Sequence, residues 1–262
     1  MTETENKLPT ATPLEPKKRA ILVGASSGIG AALAHRLADE GYQIALLARR
    51  AEMLESLTNE INSKHGEIRA IHYIHDVIDY KSVPELLKKI ISDLGGFDTF
   101  IYNAGVSISV GLKNYDFEKD RKMMEINLLG ALAWLNPVGE LFQNLKSGQI
   151  VGISSVAGER GRVGSPAYNT SKAALTTYLE AYRNRLTRYG VNVLTVKPGY
   201  VRTDMIKNVG NPFWAIPAEQ AAKDIFKAMY KRKQEIYTAA RWRWVMFVIR
   251  NIPSFIFRKM TF

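Results

Sequence analysis

No cysteine occurs in these 262 residues. That excludes disulfides, a thiolate nucleophile and a Cys-ligated metal, and no metal site is read from the remaining residues. The lack of thiols fits a reducing compartment. Long apolar runs are also missing: none reaches the roughly 18 residues a membrane-spanning helix needs. Residues 1–18, MTETENKLPTATPLEPKK, hold no apolar stretch of the kind a secretory signal requires. Their Thr, Pro and Glu content reads as a flexible leader.

Acid is nearly absent from the C-terminal end. Between Lys227 and Phe262 stand nine Lys/Arg against Glu235 alone, so most of the formal net charge of +11 lies there. A nucleic-acid-binding protein would carry its basic residues over a recognition face or in a known motif. Neither is present, and no nucleic-acid partner is expected.

What is present is ordinary for a folded enzyme-sized domain: 46% hydrophobic and 23% charged residues. From Arg19 onward, short apolar runs alternate with stretches of helical spacing. The runs AILVGA, YQIALLA, IRAIHYIHDV, FDTFIYNAG, GQIVGISS, GVNVLTVKPG and QEIYTA read as strands. Between them lie IGAALAHRLADEG, AEMLESLTNEINSKHG, VPELLKKIISDLG, a long helix over roughly 118–145, a helix carrying Tyr168, and PAEQAAKDIFKAMYKRK. Strict alternation with apolar strands predicts a doubly wound parallel sheet with helices on both faces. No linker divides it, so residues 19–240 are read as one domain, followed by a basic amphipathic tail over 241–262.

The first strand runs into GASSGIG, Gly24 to Gly30, which opens a helix. Glycines there let a backbone approach a pyrophosphate, and a helix N-terminus offers free N–H groups. The alternative is a tight structural turn. A dinucleotide site commonly has an acid at the end of strand two, to hold the ribose 2′-hydroxyl. Here that strand ends LLARR, with Arg49 and Arg50 and no carboxylate. Arginine there suits a 2′-phosphate; the alternative is that both arginines begin a solvated helix.

Tyrosine and lysine four residues apart occur twice, as Tyr115–Lys119 and Tyr168–Lys172. That spacing places two side chains on one helix face whatever their purpose. Thirteen residues before Tyr168 stands Ser155, at the end of a strand; thirteen before Tyr115 stands Tyr102. With HDV (Asp76), NAG (Asn103 to Gly105), MMEINLLG (Asn127), ISSVAG (Ser155) and PGYVRTDM in this order, mostly at strand ends, the chain resembles the short-chain dehydrogenase/reductase family in its compact single-domain form. The resemblance covers roughly residues 19–238.

It implies a Rossmann-type fold and an NADP(H)-dependent oxidoreductase that interconverts a carbonyl and a secondary alcohol. Asn127, Ser155, Tyr168 and Lys172 are then the catalytic residues. Tyr168 gives or takes the proton, and a nearby ammonium should lower its pKa from the ordinary value of about 10. Lys172 also holds the nicotinamide ribose, Ser155 donates to the carbonyl oxygen, and Asn127 holds a water in a relay behind Lys172. The cofactor contacts implied are Gly24, Ser26, Ser27, Gly28, Ile29, Gly30, Arg49, Asp76 (adenine), Asn103, Ala104, Gly105, Tyr168, Lys172, Pro198, Gly199, Val201 and Thr203 (carboxamide).

After the sixth strand, MIKNVGNPFWAIP carries only Lys207 as a charge and offers Phe213 and Trp214. An apolar, lipid-like ketone or alcohol is expected, the alternative being that these aromatics cap the core. In the tail, Trp242, Val245, Met246, Ile249, Ile252 and Ile256 form an apolar stripe. Three uses are open for it: an anionic membrane surface, a subunit contact in a homodimer or homotetramer, or packing within the chain. The expected location is cytoplasmic, with peripheral attachment to the inner face of a membrane under the first of these. Two rival functions are a non-catalytic NADP(H) sensor and a peripheral membrane protein acting mainly through its tail.

Overall fold

The computed structural model describes residues 18–206 and 214–260. Residues 1–17 of the N-terminal leader, the stretch 207–213 holding Lys207 and Phe213, and residues 261–262 lie outside the described residues. Seven strands form one parallel sheet: β1 (Arg19–Val23), β2 (Gln43–Ala48), β3 (Ala70–Ile74), β4 (Thr99–Tyr102), β5 (Gln149–Ile153), β6 (Asn192–Pro198) and β9 (Glu235–Thr238). Their order is β3-β2-β1-β4-β5-β6-β9. Two further strands, β7 (Val201–Arg202) and β8 (Ile216–Pro217), pair in parallel beside it. A two-residue strand carries no period, which is why neither shows in the sequence.

The unbroken apolar strands follow from burial on both faces. Ile21 and Val23 of β1 point into one core, with Leu87, Trp134 and Leu179. Ala20 and Leu22 point into the other, with Leu33, Leu54 and Ile225. The helices supplying these residues are α1 (Gly28–Asp39), α2 (Ala51–His65), α3 (Val83–Leu94), α5 (Gly130–Leu145), α6 (Pro166–Leu186) and α7 (Ala218–Tyr230), with the shorter α4 (Phe117–Met124) leading into α5. Helices α2 and α3 stop where Gly66 (φ 66°) and Gly95 (φ 67°) take the left-handed conformation that glycine tolerates best.

The long helix expected over 118–145 is interrupted. Between α4 and α5 the backbone makes one π-helical turn, Glu125–Leu129, with Asn127 inside it. Such turns insert a residue and re-aim side chains, and they recur at functional sites. Gly130 follows because a Cβ there would stand 2.7 Å from the Tyr102 hydroxyl.

The tail forms α8 (Trp242–Asn251) and the single turn α9 (Ser254–Phe257). Of the three uses open for its stripe, packing within the chain takes the greater part. Trp242 and Met246 are buried against Val156, with Tyr200, Tyr237, Val245 and Ile249 around them. Ile252 is half-buried, and Ile256 remains exposed. The guanidinium of Arg160 caps the end of α8, donating to the carbonyls of Ile249 (2.6 Å), Arg250 (3.0 Å) and Ile252 (2.7 Å). It also lies over the Phe257 ring, 4.0 Å from the centroid. Beside it, buried Lys197 of β6 bridges Glu159 and Glu235, each at 2.8 Å, and the Tyr237 hydroxyl donates to Glu159. The exits of β5 and β6 are thus tied to β9 and the tail.

Candidate active site

The strand order reverses between β1 and β4, and in open α/β sheets ligands bind outside the carboxyl ends of the strands at such a point. The glycine turn is pressed against the end of β4. Gly24 has φ +87°, and any Cβ on it would collide with the Ala104 backbone. A Cβ on Gly30 would collide with the Gly24 carbonyl and stand 2.7 Å from Asn103 Nδ2. Asn103 donates to that same carbonyl at 2.7 Å, so its side chain clasps the turn. Ser27, the residue before α1, has extended backbone and makes no side-chain cap. The first amides of α1, beginning at Gly28 and Ile29, therefore keep donors that the Ser27 side chain does not occupy. Gly28 (φ +56°) faces Thr203: a Cβ would lie 2.8 Å from Thr203 Cγ2. This places Thr203 over the start of α1, where Val201 also packs with Ile29 and Ala32, while Pro198 and Gly199 lead up to them from the exit of β6. Such a cradle, with amide donors and no carboxylate on the turn, fits a dinucleotide pyrophosphate.

The two arginines after β2 part ways. Arg49 Nη1 pairs with Asp76 Oδ2 at 3.5 Å, while Asp76 Oδ1 accepts from the Ile78 amide at 3.2 Å. Arg50 reaches the glycine turn: Nε and Nη2 donate to Ser26 Oγ at 3.2 and 2.9 Å, and Nη2 to Ser27 Oγ at 2.6 Å. Sequence reasoning placed the phosphate contact on Arg49 and passed over Arg50. The signal, an arginine pair, was in view, but nothing in it says which of two adjacent side chains turns inward.

On the other side of the crevice lie the expected catalytic residues. Ser155 precedes a 3-10 turn over Val156–Glu159, and its Oγ accepts from the Ala157 amide at 3.0 Å. Tyr168 and Lys172 stand four residues apart near the start of α6, on one face of the helix and one turn apart. Lys172 is buried, 3% exposed, and its Nζ donates to the Ile153 carbonyl at 3.0 Å. Burial lowers its pKa to about 8. The ammonium lies 6.0 Å from the Tyr168 ring centroid. The pKa of Tyr168 is raised, because desolvation of the phenol outweighs the hydrogen bond with Ser155, which lowers it. This reverses the direction expected from a neighbouring ammonium, since Lys172 is turned to the Ile153 carbonyl.

Asn127 is fully buried, and three hydrogen bonds engage its amide. Its Oδ1 accepts from the Val106 amide at 2.7 Å; its Nδ2 donates to the Val106 carbonyl at 2.9 Å and to Ser171 Oγ at 3.0 Å. It pins the loop after β4 to α6, and Ser171 is a partner that sequence reasoning did not name. Between Asn127 and Lys172 sits Gly105, where a Cβ would stand 3.3 Å from Asn127 Oδ1 and 3.1 Å from Lys172 Nζ. Tyr115 is 100% exposed, and Lys119 pairs with Asp116 at 3.1 Å, so the other tyrosine–lysine pair is a surface feature.

Because Lys172 is charged in water but disfavoured as a cation here, it costs the apo fold stability below pH 8. The unfolded chain binds the extra proton between pH 8 and about 10.5, so this contribution to stability rises with pH over that window. Lys172→Met is expected to unfold about 2–3 kcal/mol later than the parent at pH 7, with the gap closing towards pH 10. Urea midpoints measured across that range check it; a gap that does not narrow would place the cause elsewhere.

A parallel sheet whose switch point faces a glycine-lined helix start defines a dinucleotide-binding α/β enzyme. Comparison with known proteins narrows this. The family model for short chain dehydrogenase matches residues 18–212. An oxidoreductase of Myxococcus xanthus is 34% identical over 188 residues, covering 72% of this chain and 74% of its own. The solved structure titled ElxO with NADP bound is 25% identical, with a TM-score of 0.73, covering 80% of this chain and 90% of its own. An alcohol dehydrogenase from the archaeon Thermococcus sibiricus, complexed with 5-hydroxy-NADP, is 26% identical with a TM-score of 0.74, covering 84% and 95%. The chain belongs to the short-chain dehydrogenase/reductase family: it is an oxidoreductase with a Rossmann-type fold that takes a nicotinamide cofactor.

Proposed function

We propose that this oxidoreductase prefers NADPH and interconverts an apolar ketone and its secondary alcohol. The observation that carries this reading is the meeting of Ser155, Tyr168 and Lys172 across from the glycine turn. The bound nicotinamide would supply the hydride exchanged with the substrate carbon. Gly24, Gly28, Ile29 and Gly30 would hold its pyrophosphate, and Lys172 its ribose. Adding hydride to a carbonyl leaves an alkoxide oxygen that needs a proton. A phenol at or above its ordinary pKa of about 10 holds its proton at neutral pH, and Tyr168 is placed to donate it. The Ser155 hydroxyl, beside the same phenol, would give its single proton to the carbonyl oxygen, holding it at the donor and polarising it. Lys172, with its ammonium 6.0 Å from the phenol ring centroid, would offset the charge left on the phenol oxygen once it turns from the Ile153 carbonyl. Met205, whose sulfur lies 4.0 Å from the Tyr168 hydroxyl, and Trp214 give the substrate side an apolar character.

The cofactor preference is supported by Arg49, Arg50 and the absence of a carboxylate at the end of β2, and by the NADP named in the titles of two similar structures. A 2′-phosphate can accept charge-assisted bonds from Arg50 and from Ser26 and Ser27, which Arg50 already orients. Arg50→Ala is expected to weaken NADPH binding about tenfold to a hundredfold and to leave NADH nearly unchanged. Arg49→Ala should act in the same direction and more weakly, since Arg49 shares its charge with Asp76. Titration of both cofactors against the three proteins tests it, and equal NADPH and NADH affinities in the parent would overturn the preference. The reaction class is tested by NADPH oxidation over aliphatic, steroid and 3-oxoacyl ketones.

A further inference from the structure

With its inner side used by the fold, α8 shows a second apolar face to solvent. Trp244 is 72% exposed, Phe247 56% and Val248 62%, spaced three and four residues apart on one helix side. Phe255 (61%) and Ile256 continue it on α9. These are not the residues of the apolar stripe read from the sequence; apart from Ile256 they lie on its other side. Monomeric folds rarely leave so many large apolar side chains together in water, and such a patch marks an interaction surface.

The segment that carries the patch holds one sign of charge. Arg241, Arg243, Arg258 and Lys259 are exposed around it, and no Asp or Glu follows Glu235 in the chain. Arg250 is drawn inward toward Glu159 at 3.8 Å. The presentation is rigid, because Arg160 caps α8 and Trp242 and Met246 bolt its inner side to Val156. No helix among the described residues is long and apolar enough to cross a membrane.

We propose that the outer face of α8 and α9, centred on Trp244 and Phe247, docks the protein on an anionic lipid surface. Aromatic rings with flanking cations and no acids match the boundary between acyl chains and anionic headgroups. A second copy of the chain matches poorly. A two-fold contact sets the same patch against itself, so four cations would face four cations with no acid between them. The inference concerns attachment and is independent of the reaction catalysed.

The test uses the full-length protein and two kinds of vesicle, phosphatidylcholine alone and phosphatidylcholine mixed with phosphatidylglycerol. Cosedimentation is expected with the mixed vesicles at low salt, falling as salt rises, and not with phosphatidylcholine alone. Trp244→Ser with Phe247→Ser should weaken partitioning about tenfold or more, and Arg243→Glu with Lys259→Glu on the order of a hundredfold. All four sites are exposed, so both variants should keep the parent's thermal midpoint, which establishes that the fold is intact. A protein that stays in the supernatant with mixed vesicles at low salt overturns the proposal. So does an oligomer that the Trp244→Ser, Phe247→Ser variant dissociates while vesicle binding is absent, which would make this face a subunit contact.

Discussion

Tyr168→Phe is expected to lower turnover about 100-fold or more while the cofactor still binds. The variant keeps the ring that packs beside Lys172 and removes only the hydroxyl. In the reading proposed above that hydroxyl protonates the alkoxide formed from the ketone; it lies beside Ser155, and a phenol at or above its ordinary pKa holds its proton near neutrality. Ser155 cannot substitute, since its own pKa as an alcohol lies far higher and its oxygen already accepts from the Ala157 amide. The control is Tyr115→Phe. Tyr115 stands in the same spacing to a lysine but is wholly exposed, so its turnover should match the parent. The measurement is kcat for ketone reduction, beside NADPH titration to show that the cofactor site is intact. A Tyr168→Phe enzyme within a few-fold of the parent would remove Tyr168 from proton transfer.

Most of the sheet was legible because burial on both faces writes itself as unbroken apolar runs. AILV, IALL and QIVGI can hardly be anything but central strands once helical stretches separate them. The site was legible through order along the chain: Ser155 and Tyr168 carry meaning only because a strand end precedes one and a helix holds the other. What was not legible depends on side-chain direction. Arg49 and Arg50 are equivalent as letters; which one reaches Ser26 and Ser27 is decided by how the chain turns from β2 into α2. The π turn at Asn127 leaves no composition signal, because it arises from fitting the helix against the Val106 loop and Ser171. The raised pKa of Tyr168 reflects the depth of the phenol and the turning of Lys172 toward Ile153, neither of which spacing encodes. The tail shows the same limit. Its helical period was visible, but α8 is apolar on more than one side, and only the packing tells which side is inner.

That packing leads to the largest expected loss of stability. Trp242 sits under the exit of β6, with Tyr200 and Trp214 at 5.8 and 6.3 Å in edge-to-face contact and Val156 and Met246 alongside. Its indole lies so close to Gly199 that any Cβ there would collide with it. Trp242→Ala should therefore cost about 3–5 kcal/mol, the range for emptying a buried aromatic site. Trp242→Phe should cost less. The indole N–H is buried without a hydrogen-bond partner among the described residues, so removing it breaks no bond. Gly199→Ala should also destabilise the parent, by driving the indole from its seat. In the Trp242→Ala background the same Gly199→Ala change has space to fill and should cost far less, so the two effects will not add. Because Gly199 precedes Val201 and Thr203 over the start of α1, both single variants should also weaken cofactor binding, whereas a tail that merely leaned on the fold would leave it untouched. Urea midpoints for the five proteins, with NADPH affinity measured beside them, decide the matter. Additive losses, or a Trp242→Ala midpoint equal to the parent's, would show that the tail does not brace this edge of the site.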